Sequence, residues 1–295
     1  MTLNNYSACS LCSRNCLVDR ASGNVGYCRM TADVRIARAA LHMWEEPIIS
    51  GDRGSGTVFF VGCSLGCIYC QNRAISRGAC GRSVSISELA DTYLALESDG
   101  AHNINLVTPT HFVPSIIESV RLSRERGLSL PIVYNTSSYD SEKTIRALSD
   151  TVDVFLPDLK YYRSKSAERY SFARDYPEVA RAAIAEMVRL RPEVVIENGI
   201  IKSGVVVRIL LLPGLVAEAK LNLKYLYDTY GDSIYISLMS QYTPMDGMPR
   251  PLDRRVTRAE YRELVDYAVS LGVKNAFVQE RESAVESFIP DFELK

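Results

Sequence analysis

Hydrophobic positions along the chain form short apolar runs separated by stretches of helical periodicity. Runs of strand length occupy Thr57 to Val61, Ile104 to Val107, Ile132 to Tyr134, Val152 to Leu156, Val205 to Leu212, Ile234 to Leu238 and Ala276 to Val278. Between most of them the pattern turns helical. Ser85-x-x-Glu88 is a capping box ahead of Leu89, Tyr93 and Leu96, which share one helical face, and Gly100 follows soon after the end. Thr257-x-x-Glu260 repeats that signature before Tyr261, Leu264, Val265 and Ala268, with Gly272 as the stop. Further helical stretches cover about 114–126, 141–149, 177–190 and 217–230. The polar cluster "NTSSYD" brings Asn135, Thr136 and Ser137 to the end of the third strand, and Asp140 is placed to cap the next helix.

Strands alternating with helices predict an α/β fold built from βαβ units around a parallel sheet. Six or seven such units suit a TIM-like barrel, whole or partial, better than two domains; a doubly wound open sheet is the alternative. In both, functional groups sit just past the C-terminal ends of the strands.

Composition narrows the class. The 295 residues are 47% hydrophobic, enough for one large core. Lys and Arg total 34 against 35 Asp and Glu, so a net charge of −1 creates no field to gather nucleic acid or an anionic membrane, and neither is expected as a partner. The start, "MTLNNYSACS", has neither a basic n-region nor an apolar h-region, and no apolar run approaches the ~18 residues of a membrane span. A cytoplasmic protein is expected.

Eight cysteines change the picture. Disulfide scaffolds belong to short secreted chains, whereas close-set cysteines in a long reduced chain hold metal. Cys63, Cys67 and Cys70 follow the first strand directly, spaced C-x3-C-x2-C, where side chains reach a strand-end site. Structural zinc needs four ligands, and the nearest further thiol, Cys80, lies ten residues on. A tight three-thiolate loop suits a 4Fe-4S cluster with one iron left open, with zinc as the alternative.

A second group, Cys9, Cys12, Cys16 and Cys28, is spaced C-x2-C-x3-C-x11-C and makes a closed site for zinc or an auxiliary 4Fe-4S cluster. It would staple a segment of about thirty residues, too few to fold alone. The expected organisation is a Cys-rich metal-binding segment over 1–50, a barrel over 51–280 and a tail over 281–295.

Other polar residues fall at predicted strand ends. Arg208 interrupts "VVVRILLL", where a buried charge requires an anion such as Asp158. Asp158 and Lys160 in "LPDLKYY" close the fourth strand, as ligand contacts or as a structural pair. Gln241 and Tyr242, one polar and one aromatic, follow the sixth strand at the same rim. His111 is placed for the same rim, either as a ligand contact or as hydrogen-bonded scaffold. "SGDRGSG" lacks the lysine of a phosphate loop and precedes a strand, so it reads as a tight turn. "HMWEEP", holding His42, Trp44, Glu45 and Glu46, gives no derivable role.

"CSLGCIYC" resembles the CxxxCxΦC signature of radical S-adenosylmethionine (SAM) enzymes, with Tyr69 as the aromatic. The segments "GAHNINLVTPTHFVP", "IVYNTSSYD", "VFLPDLKYY", "VVVRILLLPG" and "ISLMSQYTPM" extend the resemblance over about Cys9 to Gly272. They are similar to iron-sulfur proteins homologous to pyruvate formate-lyase activating enzyme. The resemblance implies a partial (β/α)6 barrel in which the amino and carboxylate groups of SAM take the open iron. One electron then splits the S–C5′ bond, and the 5′-deoxyadenosyl radical abstracts hydrogen from a substrate. It also implies SAM contacts near Tyr69, Asp158, Lys160 and Arg208, and with SAM as the ligand the strand-end positions of Asn135 and Gln241 suit cofactor contacts too, Gln241 and Tyr242 at an adenine or substrate edge. "NLVTPTHF" stands where many relatives carry a glycine-rich GGE motif, so Thr108, Thr110 and His111 take that place, through backbone carbonyls or hydroxyls, with Thr108 the candidate SAM contact. The implied partners are an electron donor of flavodoxin or ferredoxin type and a glycyl-radical protein as substrate. Alternatives are modification of a peptide or small molecule, and a non-catalytic zinc module. Relatives with extra clusters carry them after the first motif, so the N-terminal cysteines depart from that pattern.

Overall fold

The computed structural model describes residues 6–78 and 80–278; the tail over 281–295 and the last two positions of the expected barrel lie outside the described residues. In chain order the elements are β1 (Arg35–His42), α1 (Pro47–Ser50), β2 (Ser55–Phe60), α2 (Arg73–Ser76), β3 (Arg82–Ser83), α3 (Ile86–Ser98), β4 (Ile104–Val107), α4 (Val113–Glu125), β5 (Ile132–Thr136) and α5 (Glu142–Arg146). They continue with β6 (Val154–Pro157), α6 (Ser164–Ser171), α7 (Tyr176–Leu190), β7 (Val195–Glu197), β8 (Ile200–Leu210), α8 (Val216–Tyr230), β9 (Tyr235–Met239), α9 (Arg258–Leu271) and β10 (Ala276–Val278).

The strands form one sheet in the order β10-β9-β8-β6-β5-β4-β2-β1-β3, with β7 hairpinned onto β8. Every pairing from β2 to β10 along that path is parallel, whereas β1 runs antiparallel to β2 and to β3. The sheet ends at β3 and β10 without closing, which makes a partial barrel. All seven sequence-expected runs are strands of this sheet.

Pleating divides the core into two faces. Val58, Phe60, Ile104, Leu106, Ile132, Tyr134, Val205, Val207, Ile236 and Leu238 point outward and join the helices in one large cluster. Val133, Val154, Leu156 and Val206 point inward and pack with Ile48 and Ile49 of α1. The segment before β2 therefore plugs the barrel's interior. Residues 35–50 fall on the N-terminal side of the expected boundary, yet β1 pairs with β2 from Ile36↔Phe60 to His42↔Ser55.

Both expected capping boxes are present, at Ser85/Glu88 of α3 and Thr257/Glu260 of α9, where Gly272 caps the end with φ 80°. The cap of α5 differs from expectation. Ser141 accepts from the Thr144 N–H, while Asp140 turns inward and accepts from Tyr134 Oη at 2.8 Å and Thr136 Oγ1 at 2.6 Å. Two buried hydroxyl donors outcompete the helix end for that carboxylate. Among the described residues no helix is long and apolar enough to cross a membrane.

Candidate active site

The C-x3-C-x2-C loop leaves β2 through Gly62, whose φ is +90°. A Cβ there would lie 2.5 Å from Met30 Cγ and 2.7 Å from the Cys28 carbonyl oxygen, so only glycine lets the N-terminal segment lie this close to the loop. Gly66, at φ +73°, turns the chain between Cys63 and Cys67. Two thiols already receive donors: the Leu65 N–H points at Cys63 Sγ at 3.3 Å, and Ser171 Oγ donates to Cys67 Sγ at 2.9 Å. Burial pushes the Cys67 thiol up in pKa against the pull of Lys160, and pushes Cys70 up to about 12. Ligation has to displace those protons.

Beside Cys67 and Cys70 opens a cavity of about 240 Å³ at the C-terminal ends of the strands. Tyr69, Asn135, Asp158, Lys160, Arg208 and Gln241 all line it. Cys63 and Thr108 do not. Thr108 instead holds a left-handed turn at φ +58° and donates its backbone N–H to Asn135 O. His111 is buried, with its Nε2 on the Val61 carbonyl at 2.7 Å, and serves as scaffold. Cys80 is enclosed by Phe59, Ile75 and Val107, apart from the other thiols.

The charges in the cavity form one network. Arg208 gives Nε to Asp158 Oδ1 at 2.8 Å, Nη1 to Glu45 Oε2 at 3.1 Å and Nη2 to Asn135 Oδ1 at 2.6 Å. Lys160 Nζ reaches the other Asp158 oxygen at 2.6 Å. Glu45 Oε1 accepts from Asn105 and Asn135. Burial alone would raise the Asp158 carboxyl, but Arg208 and Lys160 hold it below the usual range. Burial likewise works against Arg208 and Lys160, and their carboxylate partners keep both charged. The pairs suggested by the sequence, Arg208 with Asp158 and Asp158 with Lys160, are both present.

Glu45 and Glu46 are what sequence reasoning missed. Glu45 lines the cavity, and Glu46 is buried beneath it with Oε2 unpartnered; burial and the Glu45 charge raise it to about 7, despite Arg208. The only available signal was an acidic pair ahead of Pro47, which says nothing of a partner 163 residues away.

The N-terminal segment that carries the other cysteines packs against this loop, with Cys28 O and Met30 Cγ closest to Gly62. Cys9 N–H bonds Val18 O, Leu17 N–H returns to Cys9 O, and Asn15 N–H bonds Cys12 O, with Asn15 and Leu17 in left-handed conformations. Backbone Tyr27 N–H points at Cys16 Sγ at 3.4 Å and Arg20 Nη1 at Cys9 Sγ at 3.6 Å. Burial, followed by the charges of Cys28, Cys9 and Cys16, pushes Cys12 up to about 12.

A profile of the radical SAM superfamily matches residues 57–224. An uncharacterised protein of Methanocaldococcus jannaschii is 24% identical over 276 residues, covering 90% of this chain and 75% of the relative. Among solved structures, methylornithine synthase (PylB) matches with TM-score 0.47 and 16% identity over 70% of this chain and 59% of its own. SuiB of Streptococcus suis bound to S-adenosylmethionine matches with TM-score 0.49 and 11% identity over 74% of this chain and 48% of its own. The chain thus spans about half the length of these solved structures. The superfamily match covers more than half of the sequence, and the chain belongs to the radical SAM superfamily.

Membership implies a 4Fe-4S cluster and SAM, and the residues fit them. Three thiols share one loop, N–H and O–H donors point at two of the sulfurs, and the cavity with its fixed charges lies directly beside them. Among the described residues no three Cys, His, Asp or Glu side chains converge as ligands of one ion do. In a cubane each thiolate takes its own iron, so such convergence is not required.

Proposed function

We propose that this radical SAM enzyme holds its cluster through Cys63, Cys67 and Cys70 and binds SAM in the cavity beside them. The observation that carries the reading is the network of Arg208, Asp158, Lys160 and Glu45 opening next to Cys67 and Cys70. A cluster held there and reduced by a donor of flavodoxin or ferredoxin type would supply the single electron for reductive cleavage of SAM. The chain's own work is to bind and orient. Lys160 and Arg208 keep N–H groups beyond those spent on carboxylates, suited to the SAM carboxylate or ribose. Tyr242 and Gln241 line the rim and offer an aromatic edge and an amide to adenine; Gln71 Nε2 bonds the Gln241 carbonyl at 3.0 Å and fixes that loop.

The substrate we assign is a glycine in a partner glycyl-radical polypeptide, lying across the open side of the barrel in the cytoplasm. The resemblance to activating enzymes supports this, as does the unclosed sheet. The test is anaerobic incubation with SAM, reductant and glycine-deuterated candidate partners. Deuterium in 5′-deoxyadenosine supports the activase reading; label drawn only from peptides or small molecules replaces it.

Cys9, Cys12, Cys16 and Cys28 we assign to a second, fully ligated centre over 1–50, an auxiliary 4Fe-4S cluster. Roughly eight irons per chain support it, whereas four irons and one zinc make the segment a structural staple.

A further inference from the structure

Ser171 ends α6, far in sequence from the cysteine loop, yet its Oγ donates to Cys67 Sγ at 2.9 Å. The hydroxyl is fully buried. Behind it, Tyr161 Oη lies 2.7 Å from Ser171 Oγ and 2.7 Å from the hydroxyl of Tyr69, the aromatic of the cysteine motif itself. Three hydroxyls thus stand in line between Tyr69 and the sulfur of Cys67, with Tyr161 facing both Tyr69 and Ser171. The backbone repeats the connection, since the Ile68 N–H bonds Tyr170 O at 2.9 Å.

A cation from the N-terminal segment fixes this arrangement. Arg14, between Cys12 and Cys16, gives Nε to Ser64 O at 2.9 Å and Nη2 to Leu65 O at 3.2 Å. The same guanidinium gives Nη2 to Ser171 O at 3.2 Å and Nη1 to Phe172 O at 2.6 Å. It is packed on the ring of Tyr27 at 3.8 Å. One side chain therefore holds the cysteine loop and the end of α6 together.

We propose that Ser171 is a positioning residue that raises the reduction potential of the cluster through its O–H···S bond to Cys67, and that Arg14 holds it at that distance. The inference rests on Cys67 being a cluster ligand. Reduction by an external one-electron donor adds negative charge that spreads onto the sulfurs. A donor hydrogen bond stabilises the reduced form more than the oxidised one, and in a buried site that preference is little screened. No proton is transferred, and the hydroxyl keeps its hydrogen in both states. Without Ser171 the cluster becomes harder to reduce.

The test is an anaerobic redox titration of the loaded enzyme without SAM, followed by electron paramagnetic resonance of the reduced cluster, for wild type, Ser171→Ala, Ser171→Thr, Tyr161→Phe and Arg14→Met. Ser171→Ala is expected to keep its iron and lower the reduction equilibrium about tenfold, ~59 mV for a one-electron couple. Ser171→Thr restores the wild-type midpoint, and Tyr161→Phe and Arg14→Met shift it the same way by less. Full iron in Ser171→Ala with an unmoved midpoint overturns the inference. If Ser171→Ala fails to load, the other variants decide, and an unmoved midpoint in both Tyr161→Phe and Arg14→Met overturns it equally. Wild type without a reducible cluster sinks the assignment of Cys67 as a ligand instead, so the two failures are distinguishable.

Discussion

Arg208 Nη1 and Glu45 Oε2 meet at 3.1 Å across 163 residues of chain. Both side chains are nearly enclosed, so the pair must be judged as a buried one, where the loss of a single partner costs far more than the pair contributes. Arg208→Met leaves the buried Glu45 carboxylate without a cation and Asp158 with Lys160 alone. The expected loss is about 3–5 kcal/mol in denaturant unfolding, with no 5′-deoxyadenosine formed. In a double-mutant cycle with Glu45→Gln the two losses should be clearly non-additive; simple additivity would show that the pair is not coupled.

The three motif cysteines and Cys80 should separate cleanly. Alanine at 63, 67 or 70 is expected to abolish retention of the site's iron and SAM cleavage. Cys80→Ala removes only a buried sulfur from an apolar cluster, at a cost of about 1 kcal/mol, and keeps both. Iron and sulfide analysis of the four purified variants checks this.

Glu46 gives the stability a pH dependence. Its folded pKa, about 7, lies above the ordinary 4.5, so the folded state keeps a proton that the unfolded state loses first. Its contribution is therefore fully present below pH ~4.5, falls as pH rises, and is gone above pH ~7. Glu46→Gln should match wild type near pH 4.5 and exceed it at pH 8, by at most ~3 kcal/mol. Parallel unfolding curves across that range would contradict the assignment.

Thr108 holds a φ of +58°, which costs a β-branched residue roughly 1–2 kcal/mol. Thr108→Gly relieves that strain but loses more entropy on folding, so its stability should equal or slightly exceed that of wild type. SAM cleavage should persist, because Thr108 does not line the cavity. Loss of SAM affinity in a stable Thr108→Gly enzyme would show that the hydroxyl binds SAM after all.

What was legible in the sequence was whatever local chemistry writes into a few neighbouring residues. Parallel strands buried on both faces read as continuous apolar runs, and Ser85/Glu88 and Thr257/Glu260 announce their helices through reciprocal hydrogen bonds. The loop of Cys63, Cys67 and Cys70 was legible for the same reason. Arg208 could be matched to Asp158 because a charge inside an apolar strand needs a partner. Elements lacking such signals were missed: β1 carries arginines on an edge pairing, and α6, "SKSAERYS", has almost no apolar stripe. Glu45 and Ser171 act at the site only through long-range packing, which no local pattern encodes. Asp140 was assigned to the wrong task because the competing hydroxyls of Tyr134 and Thr136 come into reach only in the folded sheet.

Residues 57–224 carry the superfamily's signature, but the cavity is bounded by side chains on both sides of that stretch. A gene trimmed to the matched interval would encode a vessel with no base and one wall missing. The carboxylate anchoring Arg208 comes from upstream, and Met239 and Gln241 come from downstream. Expression boundaries, fusion points and affinity handles for this enzyme therefore belong outside the span from His42 to Tyr242 that bounds the cavity, whatever the extent of the recognisable motif.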